Sequence, residues 1–207
     1  MVDRIALKNM AKEQIKGKIG ILLIMGLVMM AICFVVLFIP IFGNIICSWV
    51  LEPAFTLSIV GVFLGICKGE TPTVSNVFDG FYDLWCAFKV YFFTGIFIVL
   101  WSLLLIVPGI IKAYSYSMAI YILAENKGMP ALEAISRSKE MMEGHKMDLF
   151  VLGLSFIGWN VLGIITFGLA YIWAVPYMMA TTTNFYNEIK GQKETVERVE
   201  VLGTTVE

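Results

Sequence analysis

The chain has 207 residues, 59% of them hydrophobic and 15% charged, with a formal net charge of −1. A soluble domain carries about 25% charged residues, so a water-exposed surface cannot absorb this much apolar side chain and lipid is the expected solvent for much of it. The balanced charge argues against a nucleic-acid partner, and four cysteines without a CxxC pair, beside a single histidine, argue against a zinc site, so no metal or cofactor is expected.

Residues 1–18 read as a basic amphipathic helix over Asp3–Lys16. Arg4, Lys8, Lys12 and Lys16 recur every fourth residue beside an apolar row of Leu7, Ala11 and Ile15. Such a helix suits a membrane interface, with lysines at lipid phosphates. The run Ile19–Ile39 is a first span, and at about 21 residues it is too long for the apolar core of a cleaved leader. A second span covers about Gly43–Cys67 and contains Glu52-Pro53. The connection Lys68–Asp83 is rich in turn formers, and Phe78, Phe81, Tyr82 and Trp85 fit an interfacial aromatic belt.

Third and fourth spans are expected over Leu84–Val107 and Gly109–Ala124, parted by a break at Pro108-Gly109. Residues 130–144 form a cytoplasmic amphipathic helix with Pro130 in its first turn, Leu132, Ile135 and Met142 on its apolar side, and Gly144 after its end. Fifth and sixth spans follow over Met147–Thr166 and Leu169–Asn187, with a turn at Phe167-Gly168 and Pro176 inside the last. The fold expected is all-α: a polytopic membrane protein of six transmembrane helices in three hairpins plus amphipathic cytoplasmic helices. Residues 1–192 form its single domain and residues 193–207 a polar tail.

Basic residues fall in the N-terminal segment, the second and fourth connections and the tail, while the three other connections carry none. The positive-inside rule then places both termini in the cytoplasm. Each hairpin opens on a lysine, at Lys18, Lys89 and Lys146, followed about 20 residues later by a Pro or Gly turn, which suggests an internal threefold repeat.

Charges inside a bilayer are functional candidates. Glu52 and Lys112 lie at similar depth toward the outer side, so an ion pair between them is expected, in a polar intramembrane site completed by Tyr114, Tyr116, Asn160, Tyr171 and Trp173. The plainer reading makes Glu52 a first-turn carboxylate at a helix start and Lys112 a residue snorkelling to the interface. Lys8, Lys12, Lys16, Lys18, His145 and Lys146 are the candidate contacts to inner-leaflet phosphates. The patterns HExxH, GxSxG, Walker A and GxGxxG are absent, so no enzymatic activity is expected.

The run from Leu100 to Met118 around Val107-Pro108-Gly109, the stretch Glu133-Ala134-Ile135 through Gly144-His145-Lys146 to Gly158-Trp159, and the pairs Pro176-Tyr177 and Phe185-Tyr186 resemble an uncharacterised bacterial integral-membrane family, domain of unknown function 975. Leu7-Lys8, Ala11-Lys12 and Phe78-Asp79-Gly80-Phe81 extend the likeness over nearly the whole chain, while Glu52-Pro53 departs from it. In outline the family is similar to the membrane domain preceding some glycerophosphodiester phosphodiesterases, which implies lipid or envelope biology. The expected function is non-enzymatic binding of membrane lipid or an amphiphilic small molecule in envelope homeostasis or transport. The alternatives are a small transporter or exporter subunit, with a peptide as one candidate cargo, and a scaffold for a partner membrane protein.

Overall fold

A computed structural model describes residues 2–38, 44 and 47–204; the expected Pro40–Phe42 turn lies outside them. Among the described residues every regular element is helical. Helix α1 (Arg4–Ile15) starts where the Asp3 carboxylate accepts from the Ile5 and Ala6 amides at 2.9 and 3.2 Å. Its row Leu7, Ala11 and Ile15 is buried, as helical spacing predicts. Gly17, at φ 79°, turns the chain into α2 (Ile19–Leu37). A π-helical turn, Cys47–Leu51, runs directly into α3 (Glu52–Cys67).

The expected loop Lys68–Asp83 instead holds a 3-10 helix, Val74–Phe81, closed at its start by a reciprocal Thr73–Asn76 capping box. Helix α4 (Leu84–Leu104) ends at Leu105, whose backbone is extended, and α5 (Ile106–Tyr116) begins at once. The break thus precedes Pro108, which sits in the first turn of α5, where a missing N–H leaves no helical bond unmade. Helix α5 gives way to α6 (Ala119–Glu125) at Ser117-Met118, so the fourth expected span is interrupted. The chain continues through α7 (Ala131–Met141), α8 (Lys146–Leu154), α9 (Ile157–Ile165) and α10 (Tyr171–Thr204). The fifth expected span is likewise interrupted, at Ser155-Phe156, and the Phe167-Gly168 connection is a turn with both residues at positive φ.

Among the described residues five helical stretches are long and apolar enough to cross a membrane: Ile19–Leu37, Cys47–Cys67, Leu84–Leu103, Val107–Glu125 and Lys146–Ile165. The sixth expected span falls within α10, which is not among them; Thr181, Thr182, Thr183, Asn184 and Asn187 lower its hydropathy. Burial sorts the five into two kinds. Only 11%, 11% and 17% of residues are buried in the stretches of α2, α4 and α8–α9, against 61% and 44% in those of α3 and α5–α6. The first kind is peripheral and the second central, and α10 joins the centre through buried Ala174, Tyr177, Ala180, Phe185, Tyr186 and Ile189.

Three short elements dock on the central helices: α1 on α10, the 3-10 helix on α3, and α7 on α6. A buried polar side chain secures each contact. Ser58 of α3 donates to the Val77 carbonyl and accepts from the Gly80 amide, each at 2.8 Å. Ser138 of α7 donates to the Ser115 carbonyl at 2.8 Å and accepts from the Met118 amide at 3.2 Å, supplying the partners that the break between α5 and α6 withdraws. Asn184 of α10 donates to the Leu7 carbonyl at 3.4 Å and to Gln14 Oε1 at 2.9 Å, while the Cys67 thiol donates to Asn184 Oδ1 at 3.2 Å. The buried side of α7 is Ala131, Ala134, Ile135 and Ser138; Leu132, expected there, is 54% exposed.

Ser138→Ala strands two buried backbone groups, so its expected cost is about 1–3 kcal/mol for each unsatisfied group, read as a lowered unfolding temperature of the purified protein in detergent. Gly80→Ala is expected to be at least as damaging, because a Cβ there collides with the Ala54 carbonyl and Ser58. A wild-type melting temperature for both variants would show that these contacts do not hold the 3-10 helix and α7 in place.

Candidate functional site

The structure does not assemble the outer polar site expected from the sequence. Among the described residues no ion pair joins Glu52 to Lys112. Glu52 is exposed at the junction of the π turn and α3, and because Leu51 is already helical it does not sit at a free helix N-terminus. Lys112 lies over the Trp101 ring at 4.7 Å, a cation–π contact within one helix–helix pair. Tyr114 packs edge-on against Phe150, and Tyr116 lies near Phe97. Asn160 is exposed and offers only its carbonyl, to the Tyr171 hydroxyl at 3.4 Å. The Tyr171 ring occupies the space a Cβ on Gly163 would need, and Trp173 is 60% exposed. These residues therefore belong to separate contacts.

The basic residues of the N-terminal segment are partly committed. Lys8 lies over Phe156 at 5.0 Å and Lys12 over Tyr177 at 5.9 Å, which folds α1 onto the centre of the molecule. Burial, then the charges of Lys12 and Arg4, hold the Lys8 ammonium below the ordinary lysine value. Lys18 donates to the Glu70 carbonyl at 3.1 Å, whereas Lys16 is exposed. His145 Nδ1 lies 3.5 Å from an Asp148 carboxylate oxygen at the start of α8 without forming a hydrogen bond, and Lys146 is half-buried beside it.

Polar chemistry concentrates elsewhere, at the shared end of the three central helices. Glu125 closes α6, and its side chain is 10% exposed. One oxygen accepts from Lys190 Nζ and from the Tyr186 hydroxyl, both at 2.7 Å; the other lies 3.7 Å from Lys68 Nζ. Tyr186 and Lys190 are one turn apart on α10, and Lys68 follows α3, so one carboxylate joins all three helices. The Tyr121 and Tyr186 rings stack immediately behind it, with centroids 5.4 Å apart.

Beside this node lies a cavity of about 310 Å³, walled by the end of α3, the 3-10 helix and the end of α6. Its charged lining is Lys68, Glu70, Asp79, Asp83, Glu125 and Lys127. Asp79 accepts from Asn76 Nδ2 at 2.8 Å, Asp83 makes no side-chain capping bond, and Lys127 has no ion-pair partner among the described residues. Gly61 also lines the cavity and faces open space. Among the described residues no cluster of three or more His, Cys, Asp or Glu side chains is arranged to hold a metal ion. Sequence reasoning passed over these groups because Lys68, Lys127 and Lys190 stand at the ends of apolar runs, where a charge reads as a topological marker, and Asp79 and Asp83 lie in a connection read as a loop. The available signal was the Tyr186 and Lys190 pair, spaced to share one partner.

The family described as protein of unknown function (DUF975) matches residues 1–115 and again 103–193, so the chain belongs to that family. No curated protein and no solved structure matches it.

Glu125→Ala removes the carboxylate to which the Tyr186 hydroxyl and the Lys190 ammonium both donate. The expected order of destabilisation is Glu125→Ala, then Lys190→Ala, then Lys68→Ala, since the lysine side chains are 38% and 61% exposed and solvent screens them. The loss for Glu125→Ala should be about 1–3 kcal/mol, measured by thermal unfolding in detergent. A larger effect for Lys68→Ala than for Glu125→Ala would contradict the central place given to the carboxylate.

Proposed function

We propose that this member of the family is a six-span integral protein of a bacterial cytoplasmic membrane, with both termini cytoplasmic. In this reading it is non-enzymatic and binds a lipid or an amphiphilic small molecule at the cavity beside Glu125. Five stretches of membrane-crossing length and apolarity support the topology, with the first part of α10 as the sixth span. The distribution of lysine and arginine supports the orientation. In this orientation the cavity lies at the level of the inner-leaflet headgroups, because Lys68 and Lys127 mark the cytoplasmic ends of the second and fourth spans.

The observation that carries the binding role is the cavity itself. It combines an apolar inner wall, including Leu57, Val62 and Leu123, with a charged rim. An amphiphile has the same division. A transport role is a second reading, favoured by the interruptions at Ser117-Met118 and Ser155-Phe156, since transporters build their sites from discontinuous helices.

Gly61→Phe tests the binding role. The substitution directs a ring into the cavity from a helical position with room for a side chain. Gently extracted wild-type protein should carry a lipid-sized adduct in native mass spectrometry, and the variant should lose it while keeping its helical content. Equal adducts in both would remove the cavity as the site. For the topology, Phe167→Cys should react with a membrane-impermeant maleimide in intact cells, and Lys16→Cys only after the membrane is opened. The reverse pattern would invert the assignment.

A further inference from the structure

The docking contacts form a closed cycle. Taking each hairpin with the short element before it, the three units are α1 with α2 and α3, the 3-10 helix with α4 and α5–α6, and α7 with α8–α9 and α10. The short element of each unit packs on the last helix of the unit before it: the 3-10 helix on α3, α7 on α6, and α1 on α10. The last helices are the central ones, and their ends meet at Glu125. Three equivalent clefts result, each between a central helix and its docked element.

The protein closes two of these clefts with its own polar groups. Asn184, Gln14 and Cys67 bond to one another where α1 meets α10. Ser138 bonds to both sides of the helix break where α7 meets α6. The third contact is held by Ser58 and by Phe55 packed edge-on against Phe81, and beside it about 310 Å³ stays open. That volume is about ten times a water molecule's share of the liquid, and a lipid headgroup is of that order.

The lining carries both signs: Lys68 and Lys127, with Glu70 beside the first, follow the central helices α3 and α6, whereas Asp79 and Asp83 belong to the 3-10 helix and the turn after it and add no cation. Glu125 is already matched by Lys190 and Tyr186. An anion alone would face Glu70, Asp79 and Asp83, and a simple cation would make no use of the exposed ammonium groups of Lys68 and Lys127. We infer that the cavity takes a zwitterion: an ammonium at the Asp79 and Asp83 side and a phosphate or carboxylate at the Lys68 and Lys127 side. A zwitterionic phospholipid headgroup and a free small zwitterion share this chemistry. The inference rests on the binding role proposed for the same cavity.

The test uses purified full-length protein with equimolar dioleoyl phosphatidylethanolamine and dioleoyl phosphatidylglycerol, read by native mass spectrometry. Free phosphoethanolamine is titrated in a parallel arm. Wild type should retain the zwitterionic lipid, or bind free phosphoethanolamine, by about tenfold or more over the anionic lipid, the scale of one charge-assisted hydrogen bond. Asp83→Asn, which breaks no capping bond, should reduce that preference several-fold, whereas Lys127→Ala should weaken retention of both lipids, since both carry the phosphate, and neither variant should change the melting temperature. Displacement of the lipid by millimolar phosphoethanolamine would identify a soluble ligand; no displacement would identify the membrane lipid. Retention of phosphatidylglycerol at least as strongly, and its loss in Gly61→Phe, would overturn the zwitterion while leaving the binding role intact. Binding of no probe by wild type would overturn both.

Discussion

A carboxylate at the C-terminal end of a helix is poorly placed, because the helix dipole already puts partial negative charge there. Glu125 closes α6 in that position with a nearly buried side chain, so partners must be brought to it. Lys190 and Tyr186 meet one oxygen at 2.7 Å, and Lys68 approaches the other. This requirement fixes the register of α10 against α6: a shift of one helical turn would move the Tyr186 and Lys190 pair about 5.4 Å from its acceptor. It also places the end of α3 and, through the stacked Tyr121 and Tyr186 rings, the apolar packing behind the node. The cavity lies between the ends of α3 and α6, both tied to this carboxylate, and the 3-10 helix.

The docked elements solve a related problem. Apolar burial gives little drive for association between helices in lipid, and packing and polar contacts take its place. Ser58, Ser138 and Asn184 are buried, and each bonds to backbone of a neighbouring element. At the far end of the molecule such contacts are sparse and large apolar side chains lie open, with Leu103 84% and Phe167 100% exposed. That division suits a protein whose inner half is fastened by polar contacts and whose outer half is covered by acyl chains in the proposed orientation.

Which segments are long, apolar and helical was largely legible in the sequence; which way a residue on them faces was much less so. The face Leu7, Ala11 and Ile15 of α1 was readable because Asp3 sets the start and the spacing is regular. The Glu52–Lys112 pair failed because equal depth says nothing about azimuth: Lys112 turns to Trp101. Helix breaks at Leu105, Ser117-Met118 and Ser155-Phe156 carry neither Pro nor Gly at the break, and a hydropathy window averages across them. Ser138 was hidden because a serine on an amphipathic helix reads as solvent-facing until its acceptor, twenty-three residues away on α5, is known. The 3-10 helix was taken for a loop because its turn-forming residues, Thr73, Asn76 and Asp79, make the capping contacts that order it.

The position of Lys68 bears on how the cavity could be filled and emptied. Lys68 lies 3.7 Å from Glu125, the longest of that carboxylate's three contacts, with its side chain 61% exposed. A ligand anion entering the cavity would draw on Lys68, but Glu125 would keep Lys190 and Tyr186 at 2.7 Å. The node therefore need not break when the cavity is occupied. Exposed charges of this kind exchange partners at little net cost, whereas removing Lys190 from a nearly buried carboxylate would not be cheap. In the proposed binding role, structural and ligand-facing duties thus fall on different lysines, so that a charged headgroup would enter and leave the cavity beside Glu125 without loosening the junction of the three helices.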